Sequence, residues 1–107
     1  MSNGKLGKAM SSSLAPVSVY QAPVSVDFVT ASISLLNVGL EDAIVKVSIA
    51  NSLTPLPVDY IESGQVVSKN GGRVIINCEL LSAGERILVE STTNNVVIRA
   101  TGLEKLL

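Results

Sequence analysis

Histidine and tryptophan are absent from this sequence of 107 residues, and cysteine occurs once, at Cys78. Because histidine is the commonest general base and transition-metal ligand, its absence excludes a Ser–His–Asp triad, a Cys–His pair and a zinc site of ordinary spacing. Glycine-rich phosphate loops of the GxxxxGK and GxGxxG types are also absent. One cysteine cannot form a disulfide within the chain. We interpret Cys78 as a small buried hydrophobe, because it alternates with Val74, Ile76 and Leu80.

Carboxylates are the remaining candidates for chemistry. Glu41 and Asp42 are adjacent, and Asp59 and Glu62 lie close together, so either pair resembles the acid and base of a glycosidase. Such enzymes need aromatic platforms for the sugar, and the chain has only two Tyr and one Phe. A calcium site built from Asp and backbone carbonyls stays open, although no EF-hand spacing is present. We therefore predict that the protein is not an enzyme and has no catalytic, cofactor-binding or metal-ligating residues.

Charge is scarce as well. Charged residues make up 16% of the chain, against about 25% in typical soluble domains, while hydrophobic residues make up 47% and mean hydropathy is +0.46. This balance favours a subunit that other chains partly cover over a slightly apolar soluble monomer. A net charge of −1 gives no long-range attraction to nucleic acid or to an anionic membrane, so neither is an expected partner.

Targeting signals are not evident in the sequence. Lys5 and Lys8 precede a small polar stretch instead of the apolar run of a secretory signal, and no stretch approaches the roughly 18 apolar residues of a membrane-spanning helix. We expect the protein to be made in a cytoplasm. Residues 1–15 are small and polar, which predicts an extended N-terminal arm ahead of a domain at 16–107.

After the arm, apolar and polar residues alternate as in β-strands. The clearest segments predict Val29, Ala31, Ile33 and Leu35, and then Val45, Val47 and Ile49, on inward faces. About seven or eight short strands at roughly ten-residue spacing predict an all-β, antiparallel β-sandwich of immunoglobulin-like or jelly-roll-like character. Four outward positions are nevertheless aliphatic, which predicts a partly covered sheet face: Ile44, Ile75, Leu88 and Val97.

Turn chemistry separates the strands. "NVGLED" at 37–42 and the polar residues at 92–95 are each expected to close a β-hairpin, and "KNGG" at 69–72 and "SAGE" at 82–85 to form tight turns. Gly64 is a predicted bulge or kink. The prolines at 55 and 57 predict a loop or a crossover at a sheet edge.

Four side chains outside the core receive plain structural interpretations. Asp59 is expected to cap turn amides, and the hydroxyl of Tyr60 to meet a backbone acceptor or a neighbouring subunit. Arg73 and Arg99 occupy outward positions, where we expect them to be solvated or paired with acidic residues at 79 or 90.

Four stretches in order carry a family resemblance: "NGKLG" at 3–7, "VYQAP" at 19–23, "DYIE" at 59–62 and "LLSAGERILVESTTNNVVIRATGLE" at 80–104. Together they resemble a family of small virion structural proteins of tailed bacteriophages, common among phages of cyanobacteria and other aquatic bacteria. Ala83, Gly84 and Glu85 match the turn that precedes the last strands in that family. The chain departs from the family after Pro23, where "VSVD" replaces the frequent alanine-glycine turn.

The resemblance implies a non-enzymatic virion component. The first expectation is a capsid decoration or cement protein that stabilises contacts between subunits of the major capsid protein, with residues 1–15 lying along a neighbouring chain. The alternative is a tail, neck or fibre-associated virion subunit, and a third class is a carbohydrate binder on the virion. The implied partners are the major capsid protein or other virion proteins in a homo-oligomer or lattice, and the implied location is the virion, assembled in the host cytoplasm.

Overall fold

A computed structural model of the chain describes residues 3–107, apart from the side chains of residues 3–5 and 78. The described residues form eight β-strands and one short 3-10 helix, Pro57–Asp59. The strands are β1 (Asn3–Met10), β2 (Val17–Gln21), β3 (Val26–Asn37), β4 (Ala43–Ala50), β5 (Tyr60–Val67), β6 (Arg73–Ser82), β7 (Arg86–Ser91) and β8 (Val96–Leu106).

The strands form two antiparallel sheets that pack face to face. One sheet has the order β1-β8-β3-β6, and the other has the order β2-β7-β4-β5. The first strand thus pairs with the last, the second with the seventh, the third with the sixth and the fourth with the fifth. This nested pairing is that of the eight-stranded jelly roll with two Greek keys. The predicted all-β sandwich is confirmed, and the strand order selects jelly-roll over immunoglobulin-like topology.

The inner faces of the sheets hold the core. All seven residues predicted to face inward on the third and fourth strands are buried, from Val29 to Ile49. They pack with apolar residues from the other strands, among them Leu81, Ile87, Val89 and Ile98. Aliphatic side chains, mostly β-branched, fill this interior because two pleated surfaces about 10 Å apart accept them without a larger ring.

Most turns of this fold carry the chain from one sheet to the other. Within residues 3–107, β4 and β5 are the one pair of consecutive strands that share a sheet. The hairpins predicted at 37–42 and at 92–95 are therefore wrong, because β3 and β4, like β7 and β8, lie in different sheets. Turn residues dictate that the chain reverses, but the sheet that the next strand joins depends on distant partners.

Local backbone predictions are more accurate. Asn70 and Gly71 have φ of 59° and 94°, and Gly84 has φ of 84°, so both predicted tight turns are present. Gly64 has φ of 81° and is the extra residue between the pairs Val45–Gln65 and Lys46–Ser63, which confirms the bulge.

A second bulge changes the pattern of β6. Ala31 faces Glu79 and Ile33 faces Ile76, so two residues of β6 lie opposite one residue of β3. Alternation therefore shifts by one, and Leu81 is buried while Leu80 is mostly exposed. The prediction that Leu80 continues the inward series is wrong for this reason. The predicted burial of Cys78 concerns a side chain outside the described residues.

The N-terminal segment is placed differently from the expectation. Residues 1 and 2 lie outside the described residues, but Asn3–Met10 pairs along β8 of the same chain as an edge strand. Ser11 continues this attachment, because its backbone N–H donates to the Val96 carbonyl at 2.8 Å and its hydroxyl donates to the Thr93 carbonyl at 2.7 Å. β8 needs a partner on this side for its backbone groups, and the segment that the sequence separates as an arm supplies it.

Glycine permits the close approach of this strand to its neighbour in the other sheet. A Cβ at Gly7 would lie 2.3 Å from the carbonyl oxygen of Val19 on β2, well inside contact distance. The small residues that predict an extended arm thus include one that the packing of β1 against β2 requires.

Candidate interaction surfaces

The candidate carboxylates serve the turns. Asp42 Oδ1 accepts the Lys69 backbone N–H at 2.9 Å, and Asp59 Oδ2 accepts the Leu56 N–H at 2.7 Å, which confirms the capping role of Asp59. Among the described residues no group of three or more potential metal ligands comes together. The acidic residues therefore occupy separate structural positions in the described part of the fold.

A shallow depression lies where several of the sheet-to-sheet connections meet. It measures about 560 Å³ and is lined mainly by residues 39–41 and 92–95. The buried side chain of Asn37 holds these connections: its Nδ2 donates to the carbonyls of Glu41 at 2.8 Å and Val67 at 3.0 Å, and its Oδ1 accepts the Gly39 N–H at 2.9 Å. Sequence reasoning identified Asn37 as a turn residue and missed this role, for which local sequence carries no signal.

Two of the motifs that carry the family resemblance meet at the opposite end of the sandwich. Ala22 of "VYQAP" donates its backbone N–H to the Glu85 carbonyl at 2.8 Å, and its own carbonyl accepts the Gly84 N–H at 2.9 Å. Tyr20 of the same motif donates its hydroxyl to Glu104, a buried carboxylate on β8. Since β2 and β8 belong to different sheets, this bond ties the sheets together.

The Tyr20–Glu104 contact also has an electrostatic signature. Burial raises the pKa of Tyr20 well above its ordinary value, and the hydrogen bond to Glu104 and the negative charge of that residue raise it further. Ionising the phenol here would place two negative charges in contact in a poorly hydrated site. The pair is separated by 84 positions in the chain, so sequence reasoning did not detect it.

The outer surface of the β2-β7-β4-β5 sheet, here called the back face, is partly covered by its own side chains. Tyr60 on β5 reaches over the sheet and donates its hydroxyl to Glu90 Oε2 on β7 at 2.5 Å. This hydrogen bond is the main reason that the pKa of Tyr60 is raised. Lys46 Nζ lies 5.9 Å from the centroid of the same ring.

The predictions for this face have mixed outcomes. Ile44 is about half exposed, as expected of an outward aliphatic residue. Leu88 is fully buried, so its predicted exposure is wrong. Ser48, directly opposite Leu88, is also buried although its position faces away from the core, and its hydroxyl has no hydrogen-bond partner among the described residues. The hydroxyl of Tyr60 meets a side-chain carboxylate of its own chain rather than a backbone group.

The outer surface of the β1-β8-β3-β6 sheet, here called the front face, has more large apolar side chains exposed than the back face. Leu80, Leu103 and Ile75 are each more than half exposed there, and Phe28 contributes its ring at one end. Leu80 and Leu103 flank Thr30 on either side, so this row across three strands has two exposed leucines with one threonine between them. Large exposed apolar patches mark contact sites in soluble proteins.

Arg73 and Arg99 on the front face are exposed, which matches the first of their two expected states, solvation. Arg73 Nε donates to Ser34 Oγ at 3.1 Å, and Arg99 lies beside Ser34 on the neighbouring strand. Neither arginine pairs with an acidic residue: Glu90 is engaged with Tyr60 on the back face, and Glu79 lies opposite the buried Ala31. Both arginines are exposed.

Comparisons of the chain with protein-family models, with curated protein sequences and with solved structures found no match in any of the three. In the described part of the chain, no helix has the length and apolarity needed to cross a bilayer.

Proposed function

We propose that this chain is a non-enzymatic structural subunit of a tailed-bacteriophage particle, and specifically a decoration protein that stabilises contacts between major capsid subunits. The observation that carries the proposal is the front face, a sheet surface with exposed Phe28, Ile75, Leu80 and Leu103. An enzyme would need reactive groups that converge, and Asp42 and Asp59, one carboxylate from each candidate pair, accept turn amides instead. A structural subunit needs a rigid scaffold and an adhesive surface.

The resemblance to virion proteins gives the proposal its biological setting. Its motifs belong together physically, since Ala22 is joined to Gly84 and Glu85 and Tyr20 is joined to Glu104. Jelly rolls occur in viral capsid proteins but also in lectins and cupins, so the fold adds no more than compatibility.

The binding energy expected of the front face suits a contact that is repeated many times in one particle. Apolar surface contributes about 25 cal/mol for each Å² buried, from which the loss of free motion on association must be subtracted. A single contact of this size is therefore weak to moderate. Repetition over a symmetric lattice, or contact with several capsid subunits at once, makes such contacts collectively strong.

Copy number tests the proposal. Particles of the phage that encodes this chain are purified, and the chain is quantified against the major capsid protein by mass spectrometry. A decoration protein is present in copies on the order of the capsid lattice itself. Copies that match a few symmetric rings would instead indicate a tail, neck or fibre subunit, and absence from purified particles would overturn the virion role.

A further inference from the structure

The front face concentrates positive charge in a protein whose net charge is −1. Lys8 on β1 lies directly opposite Arg99 on β8, and Arg99 lies opposite Ser34 on β3, which also accepts the hydrogen bond from Arg73. Like charges directly opposite each other on neighbouring strands destabilise a sheet. We therefore expect this positive charge to take part in binding.

Shallow hollows surround Arg99. One of about 270 Å³ lies between Arg99 and Arg73 and is lined also by Leu36 and Val97. Another of about 360 Å³ lies between Arg99 and Lys8, with Val97 and Met10 beside it. Each hollow therefore has a cationic rim next to aliphatic side chains. This combination suits a carboxylate side chain of a partner. The carboxylate would meet the cations, and its methylene groups or its apolar neighbours would contact the aliphatic side chains.

The size of the front face suits a protein partner. Four strands about 4.8 Å apart and about ten residues long give a surface of roughly 600 Å². A standard protein–protein interface covers about 800 Å² on each partner. The front face and its rim therefore approach the area that a specific interface needs.

The types of residue on the front face favour a protein over a nucleic acid as its binding partner. Arginine surrounded by aliphatic side chains is typical of interface cores, whereas single-stranded nucleic acid needs aromatic stacking platforms. Among the outward positions described on this face, Phe28 is the one aromatic residue, and it lies at the end of the sheet away from Arg99. A few cations on a chain of net negative charge also give weak attraction to a phosphate backbone.

We propose that the front face docks onto an acidic surface of a neighbouring protein subunit, with Arg99 and Arg73 receiving carboxylates while Leu80 and Leu103 bury against apolar residues beside them. The identity of the partner, a virion subunit, rests on the proposed function. The face and the chemistry of its partner follow from the positions of these residues.

The test measures binding of purified chain to particles that assemble without it, made by deleting its gene from the phage. The variant R73E/R99E reverses the charge of both arginines on the front face. Its matched control, K46E/K69E, makes the same change in net charge at exposed lysines on the back face and in the 68–72 turn. Binding of R73E/R99E is expected to fall at least about tenfold, and that of the control to stay within about twofold of wild type. The neutral variant R73Q/R99Q is expected to lie between them, and thermal unfolding checks that each variant is folded.

Each result decides a different point. If the wild-type chain does not bind such particles, the proposed function fails and the docking inference with it. If the wild-type chain and R73E/R99E bind equally well, the docking inference alone is overturned. It is also overturned if the two charge reversals abolish binding of a mixed-sequence oligonucleotide, or self-association measured by sedimentation, and leave particle binding unchanged.

Discussion

Removing the hydroxyl of Tyr20 tests how the two sheets are held together. The variant Tyr20→Phe keeps the ring, which packs against the core, and deletes only the donor to Glu104. A hydrogen bond to a charged partner contributes about 1.5–3 kcal/mol. Because Glu104 is buried, water cannot easily replace the lost donor, so the loss falls within that range. We expect the free energy of unfolding to fall by about 2 kcal/mol, which lowers the melting temperature of a domain this size by about 10 °C.

The same variant should change how stability depends on pH. Burial and Glu104 raise the pKa of Tyr20 in the folded chain above the ordinary value of 10.0. The unfolded chain therefore loses this proton first as pH rises past 10.0, so the stability that Tyr20 contributes is complete below that pH and declines above it. The wild-type chain should lose more stability than Tyr20→Phe between about pH 9 and about pH 11.

Urea unfolding followed by circular dichroism measures both effects. Tyr60→Phe is the matched control, since Tyr60 also donates to a carboxylate, but at a half-buried surface position where water can replace the lost donor. The control is expected to lose less stability. Equal stability of Tyr20→Phe and the wild-type chain, or a stability difference that stays constant across this pH interval, would refute the reasoning.

Four further substitutions probe the fold. Gly7→Ala places a methyl group against the Val19 carbonyl and should weaken the pairing of β1 with β8. Backbone amides of β8 should then exchange hydrogen faster, and unchanged protection would contradict the close approach. Asn37→Ala leaves buried turn groups without partners and is expected to cost at least about 2 kcal/mol in urea unfolding. Leu81→Ala should cost about 2–5 kcal/mol and Leu80→Ala less than about 1, whereas equal losses would argue against the bulge in β6.

Periodicity in the sequence identifies strands and their inward residues well, because every second residue of a half-buried strand faces the core and is apolar. Val29 to Leu35 were assigned to the core from alternation alone, and all four alternate residues are buried. Glycine similarly marks backbone that needs positive φ, as at Gly64. These features depend on a residue and its immediate neighbours, so a single sequence contains the information.

Strand pairing in this fold depends on contacts between distant parts of the chain. β1 pairs with β8, and β2 with β7, so the turns between consecutive strands contain little information about which strands are neighbours. The bulge in β6 contains no glycine that would predict it from the sequence. The bond between Tyr20 and Glu104 joins residues 84 positions apart. For the same reason the basic group at Lys8, Arg73 and Arg99 was not visible before the strands were placed side by side.

The two outer faces of the sandwich differ in how their aliphatic residues are covered. Each sheet has aliphatic residues at outward positions, and exposed aliphatic surface invites nonspecific association. On the back face, the bond from Tyr60 to Glu90 spans the sheet, and Leu88 is fully buried. On the front face Leu80 and Leu103 flank only a threonine, and farther along the same face Arg99 lies directly opposite Lys8. If both faces were simply exposed to solvent, selection for solubility would act on them equally. The difference between them is consistent with the proposal that the front face binds another protein surface.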